Sequence, residues 1–567
     1  MGMQVWKTGM VVLLAAPLGC NRFKSGEACE DPPDYFDPGH VLQVEIDMEA
    51  SDWDELRMQS RSFIGEFAGD CRDQPFLNDY TVFSADVTID GESASNIGIR
   101  KKGFIGSQST IKPSLKLHVD NYEPGQALHC NDNITFNNAV QDPAIIRQCL
   151  AYDLFAQAGL PASRCNFARV SLNGDDLGIY AHVEPVKRRF LRRHFGNDNG
   201  DLYEGTLSDF DLAKYRTFEP KNDDTDTTLS RIKALSEDLK DYDGTLREAL
   251  AAHIDVEQFI DFWAMEVIVG HWDGYSGNLN NFYIYRNPDT DRFVFIPWGM
   301  DGTLDPAALG GDDFDKDEGG RGVFSLSMIP HLMIQDDELS ALFYERLDAL
   351  LEEVWEPEAI LAEIDRMEAM LAGEIDTSVL EDALDGVRTY VKGRKAQLQS
   401  SVPATAEPLR DPFCLREVGT LDAEFETTWG SNESDELTTT GEVSITLVWE
   451  GEELEYVTAG AGIGPADDAE EDSGFGALIL ALLLDEQIYA HLWPYLYFDS
   501  EMAAAGQSIP IDGVSAGGSA WYTDANMDFQ IVEAAMLHSG SLSFDQYSEV
   551  DGDVVSGQLS TSLYNWE

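Results

Sequence analysis

The sequence predicts an α+β fold followed by an all-β module, and three observations predict it. Runs of alternating apolar and polar residues, punctuated by Asp-Gly and Asn-Gly turns, fill residues 40–186. Helical periodicity dominates from Thr228 to Val402 and is broken by one β segment at 281–298. Beyond the Pro-containing stretch PATAEPLRDPF (403–413), Gly, Ser, Thr and aromatic residues take over in alternating runs such as GEVSITLVWEG, which predict a β-sandwich-like module over 414–567. A chain of 567 residues has room for more than one core, because single cores stop growing at roughly 250–300 residues.

The N-terminus reads MGMQVWKTGMVVLLAAPLGC, with one Lys ahead of an apolar run from Val11 to Leu18 and then Gly19-Cys20. That is the layout of a secretory signal, too short to span a membrane as a mature helix. Cys after a small residue resembles a bacterial lipobox, which makes residues 1–20 a lipoprotein-type signal peptide, Cys20 the lipidated residue and 21–38 a polar tether. Plain secretion and a buried N-terminal helix are the other readings. Six further cysteines remain, Cys29, Cys71, Cys130, Cys149, Cys165 and Cys414. An even number in an exported chain favours disulfides, and the absence of any CxxC pair argues against a zinc ribbon or a thioredoxin-type site. Lys and Arg total 38 against 103 Asp and Glu, a formal net charge of −65. Such a surface repels phosphate backbones and anionic headgroups, so nucleic acid is excluded as a partner and membrane contact is expected only through the lipid anchor.

From the start of the α+β region, HVLQVEIDM (40–48) alternates as a strand, and SDWDELRMQ (51–59) reads as a helix with Ser51 at its N-cap. YTVFSADVTIDGESASNIGIR (80–100) gives two strands about Asp90-Gly91. KKGFIGSQSTIKPSLKLHVD (101–120) is a Gly/Ser loop leading into a strand, with Leu115, Leu117 and Val119 on one face and Ser114, Lys116 and His118 on the other. DPAIIRQCLAYDLFAQAG (142–159) is helical with a Gly stop, and NFARVSLNGDDLGIYAHVEPV (166–186) is a hairpin at Asn173-Gly174. The expectation is a sheet with at least one helix against it. In the last module GALILALLL (476–484) is too short for a bilayer and is expected in a core.

The richest chemistry lies at GHWDGYSGN (270–278), where the apolar run VEQFIDFWAMEVIVG (256–270) ends in a polar loop. NFYIY and RFVFIPW follow, separated by Asn287-Pro288-Asp289-Thr290-Asp291, a hairpin centred between Asp289 and Thr290. Positions equidistant from that centre face each other, so Asn278 and Asp301 are expected to meet at its open end beside Asp273. Their oxygens are hard ligands suited to Mg²⁺, which fills its shell with substrate phosphates. A carboxylate held slightly apart can accept a proton from an attacking hydroxyl. His-x-Asp-x4-Asn, a hairpin and an Asp is the base and metal-ligand layout of a protein kinase.

Here the chain resembles a known family, the spore coat protein H (CotH) kinases. The likeness spans roughly residues 40–400, through IRKKGFIGSQS, KPSLKLHVDNY, NNAVQDPAIIRQCLAYDLFAQAGLPASR, ARVSLNGDDLGIYAHVEPVKRRFLRRHFG, DLYEG, HWDGYSGNLNNFYIYR, FVFIPWGMDGT and VRTYVKGRKAQL. It implies a two-lobed, atypical protein-kinase-like domain over 39–402, with a mixed α+β N-lobe and a mainly helical C-lobe. The implied activity is transfer of phosphate from ATP, with Mg²⁺ or Mn²⁺, to Ser or Thr of a protein at the cell envelope. Asp273 would be the catalytic Asp and Asp301 the metal-binding Asp that ends the hairpin. Many members read Trp-Asp-x-Asp where this chain has Trp298-Gly299-Met300-Asp301, and Arg-Gly with paired Ser where it has Lys102-Gly103 with Ser107 and Ser109.

A kinase also needs backbone N–H groups and a cation for phosphates. Gly103, Gly106 and Ser107 supply the loop; Lys116, mid-strand on the polar face, or Lys112, at the strand's start, supplies the cation. Glu184 is placed either to touch the nucleotide or to pair with a nearby cation. Arg147 braces a carboxylate or phosphate, or forms a structural salt bridge. KRRFLRRH (187–194) is either an attractant for ATP or a solvated helix face. Asp313, Asp315 and Asp317 have the spacing that opens a calcium loop, but Glu318 replaces its sixth-position Gly. Two rival functions follow: a pseudokinase-like surface scaffold without catalysis, or a spore or envelope structural protein, including one that binds calcium.

Overall fold

The computed structural model describes residues 35–566 apart from 68–70, 77–79, 105–106, 223–224, 306–321, 401–405, 407, 410–411, 413, 434–436, 467–474, 486, 514 and 528–529. The predicted signal peptide, Cys20, Cys29, most of the predicted tether, Gly106, the acidic stretch 311–320 and much of the predicted 403–413 linker lie outside the described residues.

Seven strands close into a barrel: β1 (Val41–Asp47), β2 (Phe83–Ile89), β3 (Glu92–Lys102), β4 (Ser114–His118), β5 (Asn133–Asn137), β6 (Cys165–Leu172) and β7 (Asp175–Val183), in the order β1-β2-β3-β4-β5-β7-β6. The expected sheet is closed on itself as a barrel. Closure comes from the parallel pairing of β1 with β6, Val41 opposite Phe167 to Ile46 opposite Leu172, a long-range contact that local periodicity does not encode. The inward residues of each strand, among them Val44, Ile97, Ile99, Leu115, Leu117, Ile134 and Val170, fill the interior. The helix α1 (Ala50–Met58) has Glu49 rather than Ser51 at its N-cap, without a side-chain cap. The Arg57 carbonyl in its last turn accepts from the buried Lys101 ammonium at 2.7 Å, and burial lowers the Lys101 pKa to about 8. The short α2 (Phe63–Phe67) follows α1.

Next come α3 (Arg147–Gln157), which lies against the barrel, α4 (Arg188–Phe195), α5 (Ser230–Lys240), α6 (Leu246–Ala251), α7 (Val256–Val269), α8 (Tyr275–Asn278), α9 (Met328–Gln335), α10 (Asp337–Glu353), α11 (Pro357–Leu371) and α12 (Glu381–Ser400). α7 is apolar on nearly all sides and buried from Phe259 to Val269 except at Asp261, as a helix at the centre of a large core must be. The predicted hairpin is β10 (Phe282–Asn287) and β11 (Arg292–Pro297), with Phe282 opposite Pro297 and Asn287 opposite Arg292. Two strands not foreseen, β8 (Leu202–Gly205) and β9 (Glu219–Pro220), extend it to four in the order β11-β10-β8-β9.

The C-terminal module, expected to be β-sandwich-like, is all-β and its strands join in one hydrogen-bonded sheet. Its strands run from Glu452–Glu453 through Glu442–Trp449, Leu415–Thr428, Val554–Trp566, Val532–Gln546, Ala516–Thr523, Ala490–Asp499 and Phe475–Asp485 to Thr458–Pro465. A parallel bridge between Trp429 and Ile463 joins distant parts of this path. The sheet thus curls around one core that includes Leu421, Leu478, Leu480, Leu496, Phe498 and Leu559. Disulfides link Cys71 to Cys414 and Cys149 to Cys165, and Cys130 is also disulfide-bonded.

Candidate functional site

The loop at the end of α7 is held from inside. Asp255 caps the start of α7 through the Gln258 N–H, and Gly270 ends it at φ +68°. The apolar run Phe262–Val269 is interrupted by Glu266, which is fully buried and accepts the backbone N–H groups of Tyr275 (2.9 Å) and Ser276 (3.0 Å). A Cβ on Gly274 would lie 2.2 Å from Glu266 Oε1, so glycine there lets the loop close on the carboxylate. From the other side α12 braces the C-terminal carbonyls of α7: the Tyr390 hydroxyl donates to the Ile268 carbonyl at 3.0 Å, and the buried Arg394 donates to Val267 and Ile268. An acid in a buried apolar helix was the signal for Glu266, and the sequence reading passed over it.

Asp273 leaves this turn half-buried and collects three amide donors. Nδ2 of Asn278 lies 2.5 Å from it, of Asn281 2.6 Å and of Asn280 3.2 Å. Burial raises its pKa, the amides of Asn278 and Asn280 and the charge of His271 oppose that, and Asp301 adds to it. Asn280 and Asn281 were missed, although Asn-Leu-Asn-Asn directly follows the motif's Gly. The hairpin register is centred where the sequence put it, but the ladder does not run out to Asn278 and Asp301. It ends one step beyond Phe282 and Pro297, where the Trp298 N–H donates to the Asn281 carbonyl at 3.0 Å. Positive φ at Leu279, Asn281 and Gly299 then turns both chains away. Asn278 closes α8, Asp301 lies in the 3₁₀ turn Met300–Gly302, and the two border the same cleft with Asp273.

That cleft, of about 350 Å³, lies between the outer faces of β3, β4 and β5 and the α7–β11 region. Seven basic side chains (Arg61, Arg72, Arg100, Lys102, Lys116, Lys187 and Lys221) meet four acidic ones (Glu204, Glu219, Asp273 and Asp301). In a chain with a net charge of −65, this is a local reversal of sign that attracts anions. Register explains it: Arg100 pairs with Lys116 and Lys116 with Thr135 across β3, β4 and β5, while Lys101 points inward and Lys102 outward. Lys221 is neutralised by Glu204 (2.5 Å) and Glu219 (3.0 Å). Lys102 and Lys116 form no ion pair among the described residues. Burial, reinforced by Arg100, Lys187 and Lys221, lowers the Lys116 pKa to about 7. Burial also lowers that of Lys102, against the pull of Asp301 and Glu204. Lys102, quoted in the motif but not selected as a site residue, belongs to this wall.

Gly103 borders the cleft at φ +107°, where a Cβ would meet Ser107 Oγ at 2.5 Å. Ser107 closes the turn by donating to the Phe104 carbonyl (2.9 Å) and accepting its N–H (3.1 Å). Two predicted cofactor residues are directed elsewhere. Lys112 donates to the Ile179 carbonyl at 2.7 Å and lies over the Tyr180 ring, away from the cleft. Glu184 is buried and bound by Arg164 at 2.7 Å and by Arg193. Arg147 pairs with Asp305 at 2.9 Å and Asp142 at 3.6 Å. Of the basic stretch, Arg188 and Arg192 turn to Asp198, Arg189 to the Cys130 carbonyl, and only Lys187 reaches the cleft.

Gly299 has its own structural reason. It stands at φ +53°, its carbonyl lies 3.3 Å from His271 Nε2, and a Cβ would fall 2.3 Å from Asn281 Oδ1. Restoring the acid by Gly299→Asp is therefore expected to destabilise the fold by about 1–3 kcal/mol and to displace Asn281 from Asp273. Thermal melting checks this; an unchanged midpoint would show that the turn accommodates the side chain.

Comparison with known proteins gives three findings. The family model described as CotH kinase protein matches residues 99–403. Inner spore coat protein H of Bacillus subtilis is 25% identical over 203 residues, covering 33% of this chain and 53% of that protein. Invasin CotH2 of Rhizopus delemar is 26% identical over 181 residues, covering 29% of this chain and 30% of that protein. The chain thus spans about half, or less, of the length of these curated relatives. Among solved structures, the Helicobacter pylori proinflammatory kinase CtkA covers 60% of this chain and 95% of its own at 9% identity and a TM-score of 0.27, a superposition too loose to carry detail across.

Proposed function

The chain belongs to the CotH kinase protein family, and from that premise we propose that it is an exported, ATP-dependent protein Ser/Thr phosphotransferase of the cell envelope. The observation that carries the reading is one cleft in which the half-buried cations Lys102 and Lys116, without an ion-pair partner among the described residues, stand with Asp273, Asn278 and Asp301. Partly desolvated cations are costly unless an anion compensates them, and a polyphosphate is such an anion. Lys116 and Lys102, with the loop of Gly103 and Ser107, hold the phosphates. Asn278 and Asp301 supply an amide oxygen and a carboxylate, a donor set that fits Mg²⁺ or Mn²⁺. When bound, the metal neutralises charge on the transferring phosphoryl group. Asp273 accepts the proton of the attacking Ser or Thr hydroxyl, and Asn278, Asn280 and Asn281 fix its orientation. Disulfides in the fold support an oxidising compartment. No helix among the described residues is long and apolar enough to cross a membrane, and lipidation at Cys20 is the proposed attachment. Gly299, which leaves Asp301 without the family's second acid, favours one alternative: a scaffold that binds nucleotide without transferring phosphate.

The reading makes nucleotide affinity depend on pH with a definite sign. Unliganded Lys116 loses its proton near pH 7, whereas a bound triphosphate would keep it charged. Binding above pH 7 must then take up a proton, so affinity falls as pH rises, by up to about tenfold per unit. Calorimetric titration with ATP and Mg²⁺ at pH 6.5 and 8.5 checks it. A pH-independent affinity would remove Lys116 from the phosphate site, and no binding at either pH would remove the function.

A further inference from the structure

Arg61, Arg72 and Phe76, on the strap between α1 and β2, line the outer wall of the cleft. This strap is tied inward to the glycine-rich loop. Gln108 Nε2 donates to the Arg61 carbonyl at 2.7 Å, the Tyr80 hydroxyl donates to the Gly103 carbonyl at 3.0 Å, and the Arg61 guanidinium lies 4.4 Å from the centre of the Phe104 ring. It is tied outward to the C-terminal sheet. Cys71 is bonded to Cys414, Phe67 packs with Leu415 and Tyr564, and Ser62 Oγ lies 3.1 Å from His538 Nε2.

Arg72, next to the disulfide, is the unusual member. Its Nη1 donates to the carbonyls of Thr206 (2.6 Å) and Leu207 (3.1 Å), and its guanidinium lies 3.6 Å from the centre of the Phe76 ring. Its Nε and Nη2 atoms are buried without a hydrogen-bond partner, and it forms no ion pair among the described residues. Arg61, by contrast, is neutralised by Glu66 at 3.0 Å. Burial, against the pull of Glu66, lowers the Arg72 pKa to about 9. A guanidinium held at one edge with its other nitrogens unsatisfied is preorganised to donate to two oxygens of an anion such as a phosphate.

We propose that Arg72 is a phosphate-contacting residue of the cleft and that the C-terminal sheet, through the Cys71–Cys414 disulfide, is the brace that positions it. The proposal rests on the nucleotide reading above and gives the all-β module a task in it. ATP and adenosine are the probes, since adenosine lacks the phosphates. Arg72→Gln is expected to weaken ATP binding about tenfold and leave adenosine affinity unchanged. The double variant Cys71→Ser/Cys414→Ser, with Arg72 intact, is expected to show the same ATP-selective loss. Arg72→Lys, which keeps the charge and loses the fork, should fall between. Calorimetry reads affinity and near-ultraviolet circular dichroism confirms folding. Wild-type ATP affinity in both Arg72→Gln and the cysteine variant overturns the proposal, as does an equal loss of adenosine. Wild-type protein that binds adenosine but not ATP overturns the nucleotide reading itself, and Arg72's role with it.

Discussion

Replacing Asp273 by Asn is expected to lower phosphoryl transfer by about 10²- to 10⁴-fold, the range a general base contributes, while folding and ATP binding persist. The asymmetry has a physical source. Burial already disfavours the charged form of Asp273, so a neutral isostere of the same shape costs the fold little. The cost that remains is local: Asn278, Asn280 and Asn281 all donate to this side chain, and Asn offers one acceptor oxygen where Asp offers two. A stability loss near 1 kcal/mol is expected. Transfer of labelled γ-phosphate to the protein itself, read by mass spectrometry, measures the first effect, and urea denaturation the second. Wild-type transfer by Asp273→Asn would dismiss Asp273 as the base. Binding without transfer by the unmodified protein would favour the scaffold.

The largest expected effect on stability is at Glu266. Glu266→Leu leaves the N–H groups of Tyr275 and Ser276 without an acceptor in a site sealed from water. Each orphaned donor costs about 1–3 kcal/mol, so a loss of about 3–5 kcal/mol is expected. Glu266→Gln should cost roughly half, because its amide oxygen still accepts and its NH₂ does not. Because α8 begins at those two N–H groups, the leucine variant should also lose ATP binding through Asn278. A urea midpoint close to wild type for Glu266→Leu would show that other groups hold the turn.

The site was legible to different depths in the sequence. The hairpin centre followed from turn chemistry between two runs of period two, and β10 and β11 pair in that register. Extrapolating the register to Asn278 and Asp301 overran the ladder, because three residues at positive φ end it, and only Gly among them announces that conformation. Lys116 was selected because strand alternation put it on the polar face, and it lines the cleft. Lys102 was passed over because it belongs to a neighbouring strand, and cross-strand proximity is decided by pairing. Glu184 was open to nucleotide contact or a cation pair by its position along the chain, and Arg164 and Arg193 bind it.

By itself the sequence determined the order of strand-rich, helical and all-β regions, the metal-suited Asp and Asn spacing, and the family, because these depend on neighbours along the chain. Only the tertiary structure decided that the first region is a closed barrel, that the last is one curled sheet, and that cations from five segments share a cleft. Parallel closure of β1 on β6 and the Cys71–Cys414 link, 343 residues apart, depend on the free energy of long-range packing, which leaves no periodic trace in the chain.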